Sequence, residues 1–471
     1  MTERSLHAFT DDALADHDAV GLAEALRARR LDGNEVLTAA IERARRVEPR
    51  LGAIACEAFA AASPPSGAAA QGPFAGVPTF IKDTIDVAGL PTRQGSDALA
   101  AVGPATRTAD LVRHMFEMGM VCLGKSTMPE FGFTASTEFP RRAATRNPWN
   151  TEHSAGGSSG GAAALVAAGV VPIAHGGDGG GSIRIPAAVC GLVGLKASRG
   201  RLPLNPRAKF LPVKIVTDGV LTRSVRDTAA WFAELERRHP APGLEPIGAV
   251  TRPLARRLRI GATIETPGKG VVDAETRREY EATVRLLEEL GHHVEPATLP
   301  VDAQFAADFT HYWAMMAFAV ARFGQRLIGP AFDPAGLTDL TTGLGRQFRA
   351  RLAATPGAVY RLHASAAASE RLFAQYDVLL TPTVCHLTPP IGYLSTALPY
   401  GELFPRVEGW VGFSAWANAT GAPSISLPLG FDAATSLPVG MMFGSGMGRE
   451  RLLLELALEL EEARPWRRIS G

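Results

Sequence analysis

The sequence predicts an α/β fold, and three observations carry that prediction. The segment 160–174 passes from Ala- and Leu-rich helix formers into Val170, Val171 and Ile173, so a closely packed helix leads into a buried strand. Two glycine-serine loops flank this pair, at 156–161 and 178–184, and the second falls at the strand's carboxyl end, where open α/β sheets keep their ligand crevices. The 471 residues, 46% of them hydrophobic, suffice for a large core in one α/β domain or two ordinary ones.

Composition narrows the function classes. A net charge of +1 gives no general attraction to nucleic acid, so none is expected as a partner. Residues 1–18 are polar and acidic rather than a secretory leader, and no apolar run is long enough to cross a bilayer. No membrane association is therefore expected. Cys56, Cys122, Cys190 and Cys385 are scattered, which predicts reduced, buried thiols and a cytoplasmic location. Only six lysines occur against 42 arginines, so a lysine set among apolar neighbours invites a specific explanation.

From the N-terminus, 19–29 and 33–47 have helical spacing, broken at Asp32-Gly33, and predict two outer helices. The Ala/Ser/Pro/Gly-rich 62–76 reads as a loop without a domain boundary. The stretch 77–87 reads as a strand through Thr79, Phe80, Ile81 and Ile85, with Lys82 just after its apolar run. On the residues alone Lys82 is either paired with Asp83 or Asp86, or a desolvated general base. Segment 119–126 matches a phosphate-loop pattern, but Met120, Val121, Cys122 and Leu123 look like a buried strand, which leaves Lys125 structural.

The two serine loops hold the chemistry. Gly179, Gly180 and Gly181 can turn successive N–H groups toward one point, an anion-binding nest. Ser182 follows directly, placed to attack a carbonyl whose oxygen turns negative there; the alternative is a phosphate loop or plain turns. Further on, 190–201 reads as strand then loop, with Lys196 supporting structure, and 223–236 as a helix with Trp231 and Phe232 in the core. A linker-like 237–257, a strand at 258–263 and an amphipathic helix at 273–291 follow. His292-His293 reads as a helix-terminal polar pair without an acidic partner, not a metal site. Segment 305–376 is mostly helical; 386–418 is aromatic and loop-prone, a candidate lid. A strand pair at 423–445 and a helix at 449–462 close the chain.

The run from Asn147-Pro148-Trp149 to Gly194-Leu195-Lys196 resembles the amidase signature family of serine amidohydrolases. Further matches are Gly76-Val77-Pro78 with Ile81-Lys82-Asp83, Leu123-Gly124-Lys125-Ser126, Gly421-Ala422-Pro423 with Ser426-Leu427-Pro428, and Leu437-Pro438-Val439-Gly440. The resemblance implies one large domain over 1–471 with a central mixed, twisted sheet covered by helices: N-terminal helices over about 1–60, a core over about 72–235 and a variable substrate-wall region over about 300–376. It implies Ser182 as nucleophile, Ser158 as the bridging serine after a cis peptide bond, and Lys82 as base; the 24-residue interval between the serines matches the family. It implies an oxyanion hole from the N–H groups of Gly179, Gly180, Gly181 and Ser182, with Asp178 and Arg184 bracing the loop. Trp313 and Met316 are candidates for the acyl-pocket wall. The implied reaction is hydrolysis of a small-molecule amide to a carboxylic acid and ammonia or an amine, with neither metal nor organic cofactor; a homodimer is common in the family.

Three positions depart from the family pattern. Gly179 stands where a branched or hydroxyl residue is common, which predicts a looser or roomier nest; Ser154-Ala155 replaces the usual proline or arginine; and Ile185 replaces the glutamine of the transamidosome glutaminases, against an amidotransferase subunit. TRNPWN, HGGD and GRERLLLELALELE resemble the branch with bacterial amidases and the cyclic amide hydrolases of nylon-oligomer breakdown. Two rivals remain. Residues 156–160 also match a GxSxG nucleophile elbow, with Asp377 and His386 as partners, and a disabled amidase-like scaffold is the non-enzyme alternative.

Overall fold

Strands and helices alternate along the chain around one eight-stranded mixed sheet. The computed structural model describes residues 4–205 and 208–469; residues 1–3, 206, 207, 470 and 471, which include both ends of the expected 1–471 domain, lie outside the described residues. The strands are β1 (Ile54–Glu57), β2 (Pro78–Lys82), β3 (Val121–Ser126), β4 (Ile173–Asp178), β5 (Val193–Lys196), β6 (Thr217–Thr222), β7 (Arg259–Ala262), β8 (His293–Pro296), β9 (Val378–Pro382), β10 (Ser424–Asp432) and β11 (Leu437–Ser445). The helices are α1 (Ala19–Arg27), α2 (Gly33–Leu51), α3 (Asp110–Glu117), α4 (Gly160–Ala167), α5 (Arg184–Cys190), α6 (Val225–Arg238), α7 (Ala274–Glu289), α8 (Ala303–Leu327), α9 (Asp339–Ala350), α10 (Thr355–Phe373), α11 (Tyr400–Trp410), α12 (Ala415–Thr420) and α13 (Glu450–Ala463).

The large sheet runs β4-β6-β5-β10-β11-β9-β7-β8, with β7 parallel to β8 and β9 and the other pairs antiparallel. A small sheet, β1-β3-β2, lies beside it. Edge strand β2 packs against edge strand β4: the Thr79 hydroxyl donates to the Ile173 carbonyl at 3.0 Å, and the Lys82 N–H donates to His175 Nδ1 at 3.2 Å. The two carboxyl ends, Lys82 and Asp178, are thereby brought together. Helix α4 contacts β2, β4 and β6, and its Gly and Ala residues are fully buried, so small side chains allow the close approach.

Local chemistry sets most ends. Asp32 caps α2 by accepting from the N–H groups of Asn34 and Glu35, and Gly52, at φ 64°, closes it in the left-handed region. The structure corrects several expectations. Ile85 lies past β2 in a turn, Val170 and Val171 precede β4, and 62–76 contains a short 3₁₀ turn at Gly67–Gln71. The loop-prone 386–418 contains α11 and the start of α12, because Leu403, Phe404 and Trp410 bury one face of a helix. His292 does have an acidic partner, Glu459, with Nε2 and Oε2 3.2 Å apart. Cys190 and Cys385 are buried, whereas Cys56 and Cys122 are only half-buried.

Candidate active site

The site is built where β2 ends against β4. Lys82 is 1% exposed, and its Nζ lies 2.8 Å from Ser158 Oγ and 2.9 Å from the Gly177 carbonyl oxygen. Burial pulls its pKa down to about 7, against the opposing charges of Asp218 and Asp178. The peptide bond between Gly157 and Ser158 is cis. Ser159 ties the first serine loop to the second: its N–H donates to the Ser182 carbonyl at 3.2 Å and its hydroxyl donates to the Gly177 carbonyl at 3.2 Å. Ser182 is 7% exposed and lines a cavity; the structure records no hydrogen bond between its hydroxyl and Ser158 among the described residues.

A closed polar network holds the glycine loop. Arg184 grips Asp178 with two parallel bonds, Nε to Oδ2 and Nη2 to Oδ1, both 2.9 Å, and neither side chain is exposed. Asn418 of α12 donates to the Asp178 carbonyl and to Oδ1, and the Ser414 hydroxyl donates to the Gly180 carbonyl. Burial resists ionisation of Asp178, but the Arg184 charge and these hydrogen bonds hold its carboxyl well below the usual range. The expected three-glycine convergence is altered here. Gly181 has φ 129°, while its N–H donates to Asp178 Oδ1 at 2.7 Å. The N–H groups of Gly179, Gly180 and Ser182 make no hydrogen bond among the described residues.

Beside Ser182 and Gly180 lies a chamber of about 110 Å³ walled by aromatic and aliphatic side chains. Trp313 lines it, stacked on Phe309 (centroids 5.9 Å apart, 21° between planes) and edge-on to Phe133. Met316 is absent from the chamber wall and packs among core residues instead. Gly179 does not open extra room either: a Cβ there would stand 3.3 Å from Val216 and 3.5 Å from Trp313, so the ring occupies the space the glycine leaves. Phe309, Thr310, Phe404, Glu408, Val411 and Ala415 are shared with an outer cleft of about 570 Å³. These α8, α11 and α12 residues escape sequence reasoning, apart from the general suspicion of two aromatic stretches, because their partners lie far away in the chain.

The rival constellations are not assembled. Asp377 pairs with Arg256 at 2.8 Å, and His386 Nδ1 meets the Leu387 carbonyl at 2.9 Å. Segment 121–126 is the strand β3, and Lys125 Nζ pairs with Asp83 at 3.1 Å.

Comparison with known proteins identifies the family. A family model described as Amidase matches residues 35–454. A protein of Mycobacterium tuberculosis (strain ATCC 25618 / H37Rv) carrying the name amidase AmiC is 50% identical over 469 residues, 99% of this chain and 98% of its own. The 6-aminohexanoate-cyclic-dimer hydrolase of Paenarthrobacter ureafaciens is 34% identical, covering 95% of each chain. Among solved structures, a 6-aminohexanoate cyclic dimer hydrolase superposes with a TM-score of 0.85 at 31% identity over 98% of this chain and 99% of that one. A bacterial aryl acylamidase of the amidase signature family superposes with a TM-score of 0.82 at 28% identity over 96% of each. Matched along nearly its whole length, the chain belongs to the amidase family and is an enzyme that hydrolyses amide carbon–nitrogen bonds.

Proposed function

We propose that the protein is a serine amidase in which Ser182 is acylated, Ser158 carries protons and Lys82 is the base. The observation that carries this reading is the 2.8 Å contact between Lys82 Nζ and Ser158 Oγ, made by a lysine that burial keeps poised near neutrality. A neutral amine can donate to the Gly177 carbonyl while turning its lone pair toward the Ser158 hydroxyl.

Lys82 takes the Ser158 proton as Ser158 takes that of Ser182, and Ser182 Oγ bonds to the amide carbon. The carbonyl electron pair becomes an oxyanion facing the N–H groups of Gly179, Gly180 and Ser182, each worth about 3 kcal/mol by the usual cost of deleting such a donor. Gly181 supports rather than donates, since its N–H is held by Asp178. The carbon–nitrogen bond breaks as the proton returns through Ser158 to the departing nitrogen. Water then attacks the acyl-enzyme and releases a carboxylic acid. The chamber beside Ser182 suits an apolar acyl group, and the outer cleft suits the leaving amine.

Intact-protein mass spectrometry tests the reading, after incubation with a fluorophosphonate probe and a panel of linear, cyclic and aryl amides. The expected result is one adduct on wild type and none on Ser182→Ala. An adduct that persists on folded Ser182→Ala overturns Ser182 as nucleophile.

A further inference from the structure

Near Lys82, three buried polar atoms carry no hydrogen bond among the described residues: Thr84 Oγ1, His175 Nε2 and Asp218 Oδ1. Two of them, Thr84 Oγ1 and Asp218 Oδ1, lie beside Gly177. A Cβ on that glycine would stand 3.0 Å from Asp218 Oδ1, 3.9 Å from Thr84 Oγ1 and 3.9 Å from Lys82 Nζ. The missing side chain thus leaves Asp218 and the Lys82 amine facing one another across a single residue.

His175 lies beside that carboxylate. Its Nδ1 accepts the Lys82 N–H at 3.2 Å and so bears no proton. A neutral ring then carries its proton on Nε2, which lies 3.4 Å from Asp218 Oδ1 without a hydrogen bond between the two among the described residues, and both side chains are essentially unexposed. Asp218 Oδ2 accepts from Asn205 Nδ2 at 3.3 Å. One strand, β4, thus meets both the backbone of the base and the acid near it.

We infer that Asp218, flanked by His175, is a positioning residue that supplies the counter-charge for the Lys82 ammonium formed in each proton transfer. The inference rests on the proposed role of Lys82 as base. Asp178 also acts on Lys82 through its charge, but it and several neighbouring charged groups of β3 and α2 are held by partners of their own. Asp178 is clamped by Arg184, Lys125 of β3 by Asp83, and Arg43 of α2 by Asp12 at 2.6 Å, while Glu48 accepts from the N–H groups of Ala53 and Ile54. Helix α4 brings no charge. No bond to Asp218 forms or breaks: the proton rests on Lys82 and returns through Ser158.

The test is the pH dependence of fluorophosphonate labelling and of kcat/KM for wild type, Asp218→Asn and His175→Asn. Removing the carboxylate disfavours the ammonium, so the acid-side midpoint of Asp218→Asn should move down by about one pH unit. The plateau should fall about tenfold, because a weaker base takes the proton less readily. His175→Asn keeps an acceptor for the Lys82 N–H but removes the ring nitrogen 3.4 Å from Asp218, and should shift the midpoint in the same direction by less. A folded Asp218→Asn whose midpoint stays put while activity drops equally at every pH overturns the inference; should that variant not fold, His175→Asn decides by the same criterion. Lys82→Ala is the control. If it labels as fast as wild type, the reading of Lys82 as base fails; if labelling needs Lys82 but no midpoint moves, only the role of Asp218 fails.

Discussion

Two polar regions meet at the carboxyl end of β4, and they are built on opposite rules. Around Asp178, the carboxylate oxygens, the guanidinium of Arg184 and the amide of Asn418 are all engaged by fixed partners. Around Lys82, among the described residues, the amine touches a hydroxyl and a carbonyl but no carboxylate, and three nearby polar atoms make no hydrogen bond. A saturated network in a low-dielectric interior resists change, while an under-paired one leaves a group free to gain and lose a proton. The difference separates the loop's brace from its base, although both lie within a few residues of one strand end.

Lys82→Met should break the comparison most visibly. Methionine matches the volume without the amine, so turnover should fall by about 10²–10⁴-fold, the range for loss of a general base. Stability should move the other way. Lysine in the unfolded chain titrates near 10.5, against about 7 in the fold, so the unfolded state binds more protons between those values and wild-type stability rises with pH there. The destabilising contribution is complete below pH 7 and vanishes above about 10.5. Urea melts should therefore find Lys82→Met more stable than wild type at pH 7, with the gap closing toward pH 10.5.

Asp178→Asn probes the other rule. It leaves the unexposed Arg184 guanidinium without its counter-charge, and breaking a buried pair in this way costs about 3–5 kcal/mol. The loss should appear as a lower urea midpoint near neutral pH. A variant as stable as wild type would show that the brace is dispensable and that the contrast with Lys82 is one of appearance only.

How far this was legible in the sequence follows from chain distance. Lys82 at the end of PTFIK, the two serine loops and the Asp178–Arg184 pair are local patterns, and glycine runs beside serine are conspicuous. Asn418, which holds Asp178 from 240 positions away, gives no local signal at all. His175 and Asp218 are likewise ordinary strand residues until β4 pairs with β6 and sets Gly177 opposite Asp218. Met316 shows the opposite failure: it shares a helix and core neighbours with Trp313, yet only Trp313 lines the chamber. Helical spacing near a suspected wall could not decide which of them faces the chamber. The aromatic stretch 386–418 reads as loop-prone, yet α11 forms within it, and Pro405 and Gly409 are tolerated there with Leu403, Phe404 and Trp410 buried.

The smallest expected effect sharpens the comparison by leaving both of its members alone. Trp313 touches neither ion pair nor amine; it stacks on Phe309 and fills the space over Gly179. Trp313→Ala should therefore keep the pH midpoint set at Lys82, while the chamber beside Ser182 widens. Small apolar acyl amides should lose about tenfold in kcat/KM, roughly the 1–3 kcal/mol that contact with an apolar pocket supplies, and bulkier acyl groups should gain relative to them. A shifted midpoint would mean that the aromatic wall also governs the base, and that the boundary between chamber and proton machinery lies deeper than Gly179.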